Sequence, residues 1–211
     1  MNYDILKICE DIEKNGYTFV EKFWGRDTDR KIEEYYESVL EPLIKKTSID
    51  RFGNRNFSLA DQEAKNNPFE EIKNSKVFIA LYTSILKFNK INIKETISVH
   101  NVIALQKNEV ETKYKVSSEL HFDAFYLTII IPIKTPLNPD KGTDASLILY
   151  PKIRKIASNS LFNYITKFLI QNSLTRYFIK RGFVNRILKS KTVVAEKDKL
   201  LIFYGYRSLH G

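Results

Sequence analysis

The sequence predicts an α+β fold, with supporting helices before about residue 90 and an antiparallel closed sheet or jelly roll from about residue 91. A helical insertion at about residues 151–190 interrupts the sheet. Three observations carry this reading. Apolar residues recur at helical spacing through the first part of the chain. From Ile91 the pattern changes to short runs rich in β-branched and aromatic residues. After Pro151 the helical period returns.

The elements follow in order. Residues 4–14 read as a helix with Ile5, Cys9 and Ile12 on one stripe, closed by Asn15-Gly16, and residues 17–21 (YTFVE) as a strand. A second helix is expected over residues 29–41, ended or kinked at Pro42. Residues 51–67 carry Gly, Asn and Asp without period and read as loop. Pro68 suits a first helical turn, so one helix is expected from there to about Phe88, with Ile72, Val77, Leu81 and Ile85 inward. Residues 97–105, containing His100, read as a strand in which that histidine serves the sheet. Residues 124–133 (AFYLTIIIPI) and 199–206 (KLLIFYGY) read as buried strands, the second delivering His210.

A chain of 211 residues with 43% hydrophobic and 13% aromatic side chains has enough apolar material for one folded domain spanning residues 1–211. The first residues resemble neither a signal nor a transit peptide, and no apolar run approaches the roughly 20 residues of a membrane span. A single cysteine, Cys9, cannot form an internal disulfide, which fits a cytoplasmic setting. Charge is distributed unevenly. Residues 145–195 hold ten Lys or Arg and no Asp or Glu, leaving 24 basic and 25 acidic residues elsewhere, so the net +9 is local. That segment reads as two amphipathic helices. They either pack on the sheet with lysines in water, lie on an anionic membrane or face an acidic partner, or grip nucleic acid. The last is disfavoured because no nucleic-acid motif accompanies the charge.

The chemistry-bearing pattern is His121-Phe122-Asp123 with a distant His210. Side chains two apart on a strand share a face, so His121 and Asp123 can reach one ion while Phe122 points away. Two imidazoles and one carboxylate form the facial triad of non-haem Fe(II) oxygenases. By composition alone a His-x-Asp arises in roughly one chain in six or seven. Its place at the mouth of an apolar strand, with a second histidine after a later one, is what gives it weight.

With those residues in view, the chain resembles the Fe(II)- and 2-oxoglutarate-dependent oxygenases, and among them most the phytanoyl-CoA dioxygenase type. The likeness runs through Asn15-Gly16-Tyr17-Thr18-Phe19-Val20, Leu120-His121-Phe122-Asp123-Ala124-Phe125, residues 142–151 (GTDASLILYP) and Tyr206-Arg207-Ser208-Leu209-His210-Gly211. It implies a double-stranded β-helix, cupin-like, with Fe(II) on His121, Asp123 and His210, 2-oxoglutarate as cosubstrate, O2 as oxidant and hydroxylation of a C–H bond. Such enzymes commonly hold the far carboxylate of 2-oxoglutarate with an arginine some ten residues beyond the distal histidine. The sequence stops at Gly211, so further native residues are expected after it. Within the chain, Lys134 resembles in placement the lysine used by some relatives, and Tyr114 and Lys115 are further candidates. Arg207 would face the opposite way on a regular strand. The expected substrate is a small molecule or a lipid- or sugar-type compound, with acidic or phosphorylated ones suited to the basic segment. Two other readings stand beside this one: a catalytically inactive cupin-like metal-binding protein, and a basic interaction module acting through residues 145–195.

Overall fold

The computed structural model describes residues 3–48, 54–58, 67–91, 102–106, 120–123, 125–134, 146–154, 165, 168 and 189–211. The chain forms two compact units. One comprises residues 1–9 and 22–116, the other residues 10–21 and 117–211.

Helix α1 (Ile5–Asn15) begins where the Asp4 carboxylate accepts from the Lys7 amide at 3.0 Å, and it buries Ile8, Cys9 and Ile12. It ends at Gly16, whose φ of +83° is open to glycine without strain. A Cβ there would also run into Pro151. Strand β1 (Tyr17–Glu21) follows directly.

Helix α2 (Arg26–Tyr35) opens with Asp27 and Asp29 in its first turn, where the helix dipole favours anions, and buries Ile32 and Tyr35. Of the end or kink expected at Pro42, the end is not observed. Residues Tyr36–Leu40 form a π turn and α3 (Glu41–Lys46) carries on through the proline. The wider turn loosens the ladder just where the proline ring meets the preceding turn and where its missing N–H would leave a carbonyl unpaired. The expected helix over residues 68–88 is two helices, α4 (Pro68–Lys73) and α5 (Lys76–Phe88). The Asn67 side chain caps α4 through the Phe69 amide at 2.9 Å, and Ser75 caps α5 through Phe78 at 3.2 Å. Ile72, Leu81 and Ile85 are buried as expected, and Phe78 takes the inward place expected of Val77, which is exposed. Around them Phe23 meets Tyr3, Trp24 and Phe78 with ring centroids 5.5–6.0 Å apart. Strand β2 (Asn54–Ser58) pairs antiparallel with β3 (Val102–Gln106). Its sequence, NRNFS, lies in the stretch read as loop and has no apolar alternation. It is a strand by its backbone pairing with β3. His100 lies outside the described residues.

The second unit holds the remaining strands: β4 (Thr128–Ile130), β5 (Ser146–Tyr150), β6 (Lys191–Val194), β7 (Lys199–Phe203) and β8 (Leu209–His210). They form two antiparallel three-stranded sheets, ordered β1-β7-β4 and β6-β5-β8. Leu200 to Phe203 of the central β7 are wholly buried, as a strand covered on both faces requires. Leu149 and Val193 from one sheet and Leu201 and Phe203 from the other form one core, with Tyr17, Phe19, Ile130 and Leu147 packed against it. Two strands are shorter than expected. β4 starts only at Thr128 because the chain before it bends. β7 stops at Phe203, where Tyr204–Arg207 turn the chain from one sheet to the other, closed by Ser208 N–H to Tyr204 O at 2.8 Å. His210 is therefore on a separate strand in the other sheet, not at the end of β7. Among the described residues no helix is long and apolar enough to cross a membrane.

Candidate metal centre

His121 and His210 exchange both backbone hydrogen bonds, His121 N–H to His210 O at 2.8 Å and His210 N–H to His121 O at 3.0 Å. Residues so paired present their side chains on the same face, which brings the two rings to 4.4 Å between centroids. His210 stands opposite Leu149, and Leu149 belongs to the core between the sheets, so the His210 ring points inward and lies edge-on to Phe203 at 4.8 Å. Thr128 stands opposite Phe203 in register and shares that inward face.

Asp123 completes the group. Its Oδ1 lies 3.4 Å from His121 Nε2 and its Oδ2 3.4 Å from His210 Nε2. One ligand atom from each residue lies within 4.8 Å of the others. Asp123 is fixed from several sides. Its amide donates to Gly205 O at 3.1 Å, and the Thr128 hydroxyl donates to its Oδ2. Gly205 presses so closely on Asp123 and Thr128 that a Cβ there would overlap both. Burial works to raise the Asp123 pKa. Hydrogen bonds from His121 and His210, the His210 charge and the Thr128 hydroxyl outweigh it and hold the carboxyl well below the usual carboxylate range.

The histidines differ in access. The His210 side chain is 6% exposed and that of His121 44%, so the group is sealed on the core side and open on the other. His210 Nδ1 faces Ser208 O at 3.0 Å, a carbonyl that accepts a proton held on Nδ1, so Nε2, beside Asp123, is the nitrogen that an ion would take in place of a proton. Two imidazole nitrogens and a carboxylate on one side, with solvent on the other, fit a divalent first-row ion that keeps open coordination positions.

Phe122 points the opposite way, into a cluster with Leu120, Tyr150 and Leu209. Lys134 is exposed four residues beyond β4. Tyr114 and Lys115 lie outside the described residues, as does most of the basic segment, of which Ile165 and Phe168 are helical and exposed. Arg207 lies in the turn, not on a regular strand, with its guanidinium 3.6 Å from Glu13. Sequence reasoning passed over Thr128, Gly205 and Ser208. Gly205 had a signal, a glycine inside an apolar strand pattern, which marks a bend or a close approach of another group. The Ser208 contribution is a backbone carbonyl and leaves no trace in the side-chain pattern.

No protein family matches the chain by sequence, and no curated protein does. Solved structures do match. A prolyl hydroxylase from Trichoplax adhaerens, solved in complex with a hypoxia inducible factor oxygen degradation domain peptide fragment, is similar at a TM-score of 0.55 and 11% identity, covering 98% of this chain and 80% of that one. A Pseudomonas putida prolyl-4-hydroxylase gives 0.56 at 10% identity, covering 98% and 89%. At such identities the likeness is one of fold.

Proposed function

We propose that the chain is a non-haem Fe(II)- and 2-oxoglutarate-dependent dioxygenase that hydroxylates a C–H bond, and that its two antiparallel sheets are the halves of a double-stranded β-helix. The observation that carries this reading is the convergence of His121, Asp123 and His210 at one edge of the core shared by the two sheets. The fold likeness to prolyl hydroxylases supports it independently. The phytanoyl-CoA dioxygenase type is the subtype favoured by the sequence motifs.

Bound Fe(II) would supply the activation of O2 coupled to decarboxylation of 2-oxoglutarate, yielding succinate and CO2. The chain's own residues do the rest. Asp123 stays ionised and offers negative charge to the cation, and Thr128 and the Gly205 carbonyl fix its direction. Ser208 O keeps His210 Nε2 available as a donor. Phe203 and the core beneath it exclude water from the buried side, while the exposed side of His121 leaves room for cosubstrate and substrate. Lys134, Tyr114 and Lys115 are the proposed candidates for the far carboxylate of 2-oxoglutarate. The substrate is a small molecule or a lipid- or sugar-type compound. Residues 145–195, strongly basic, would favour an acidic or phosphorylated one or bring the enzyme to an anionic membrane.

The test is anaerobic addition of Fe(II) and 2-oxoglutarate, followed by admission of O2. A visible charge-transfer band and then succinate are expected, both abolished by His121→Ala and by Asp123→Ala. Lys134→Ala should raise the 2-oxoglutarate requirement while leaving metal binding intact if that lysine is the anchor. Metal binding with no effect of 2-oxoglutarate would replace the dioxygenase reading with that of a metal-binding protein without turnover.

A further inference from the structure

We propose that Arg154 is a positioning residue for the triad. Its guanidinium, held between the rings of Phe122 and Tyr206, clamps residues 121–123 to the turn that leads to His210 and so sets how tightly the site takes a divalent ion. The proposal rests on the metal-binding reading given above.

Arg154 is buried, and its Cζ lies 4.1 Å from the Phe122 ring centroid and 3.9 Å from that of Tyr206. Nε donates to the Tyr206 carbonyl. Its backbone is tied to the same turn in both directions, Arg154 N–H to Arg207 O at 3.2 Å and Arg207 Nε to Arg154 O at 3.4 Å. One residue thus touches both segments that carry the site. Phe122 stands between His121 and Asp123, so a rotation of its ring anchor turns the backbone from which both ligands project. Tyr206 stands between Gly205, which sets Asp123, and Arg207-Ser208, whose carbonyl orients His210. The clamp works on the face opposite the ligands, where it fixes them without competing for the ion.

The chemistry asks for arginine. A planar guanidinium can lie against a ring on each side and still donate in its own plane, whereas the compact lysine ammonium cannot stack on both. Burial lowers the pKa of Arg154, which shows a desolvation cost that an apolar filler at this position would avoid. The two rings and the Tyr206 carbonyl offset that cost.

The probe is Co(II), titrated calorimetrically into the full chain and followed by its ligand-field spectrum, beside thermal unfolding of the metal-free protein. Arg154→Met, Arg154→Lys and Phe122→Leu should each weaken Co(II) binding about tenfold or more, the usual scale for loss of a group that orients a ligand. Arg154→Met combined with Phe122→Leu should weaken it no further than either alone, because both break one clamp. Affinity within about twofold of the parent protein in Arg154→Met, with only the unfolding midpoint lowered, overturns the proposal and leaves a packing role. So does restoration of parental affinity by lysine, or a full multiplication of the two effects. Should Arg154→Met not fold, Tyr206→Leu removes the other ring and the same thresholds decide. A parent chain that takes up no Co(II) overturns the metal reading itself, an outcome distinct from variants that bind as the parent does.

Discussion

Replacing Gly205 by alanine tests the geometry of the site most directly. No left-handed backbone is involved at this position, so space alone excludes a side chain. An alanine Cβ would stand 2.9 Å from Asp123 Cβ and closer still to Asp123 Oδ2 and the Thr128 hydroxyl. Ordinary contact between carbons begins near 3.5 Å, so Asp123 or the turn must shift by about half an ångström or more. Asp123 cannot yield freely, because its amide is held by Gly205 O and its carboxylate by Thr128. Overpacking of this kind costs about 1–3 kcal/mol, which lowers the unfolding midpoint by roughly 2–12 °C in a chain of this size. Displacing a ligand carboxylate should weaken Co(II) binding roughly 10- to 100-fold. Calorimetric titration and thermal unfolding of the same preparation read both effects. Trimming Thr128 to alanine in the Gly205→Ala background should recover part of the stability, since one of the overlapping atoms is gone. A Gly205→Ala protein that unfolds and binds Co(II) as the parent does would refute the close approach on which this reasoning rests.

Two further outcomes follow from other parts of the structure. Gly16→Ala places a Cβ at a φ of +83° and against Pro151, and should destabilise the fold by more than about 1 kcal/mol while leaving Co(II) affinity unchanged, as read by the same two measurements. The depressed pKa of Asp123 contributes stability that is present above the unfolded carboxylate value of about 4 and is lost as pH falls through the lower folded value. The stability difference between the metal-free parent and Asp123→Asn, measured by urea unfolding, should therefore shrink below about pH 4; a difference that holds constant into that range would contradict the assignment.

Much of the architecture could be read from residue pattern, and the exceptions have physical causes. Strand β1 and the end of α1 are written locally, in an alternating YTFVE and in a glycine that alone tolerates its backbone angle. The meeting of His121 with Asp123 follows from two-residue spacing. How His210 arrives is harder to read, because the apolar run from Leu200 continues into the turn at residues 204–207 with Gly205 as its chief mark, and that turn moves the chain to the other sheet. Helix boundaries depart from the apolar period where local chemistry outweighs it: the Ser75 cap divides one expected helix, and a π turn carries another past Pro42. Polar β2 is invisible to any pattern, since its order comes from a partner strand far along the chain. Thr128 and Arg154 become legible only when register is known, because each acts on a group from another segment.

The reciprocal backbone pairing of His121 with His210 has a consequence for how the protein assembles. It ties together points separated by most of the second half of the chain, so forming it must meet the closure entropy of a long loop. An ion held by these two residues and Asp123 would then act as a cross-link over that loop, stabilising the joined sheets by mass action, in step with the logarithm of its free concentration. Metal supply and the folded lifetime of the protein would thereby be coupled.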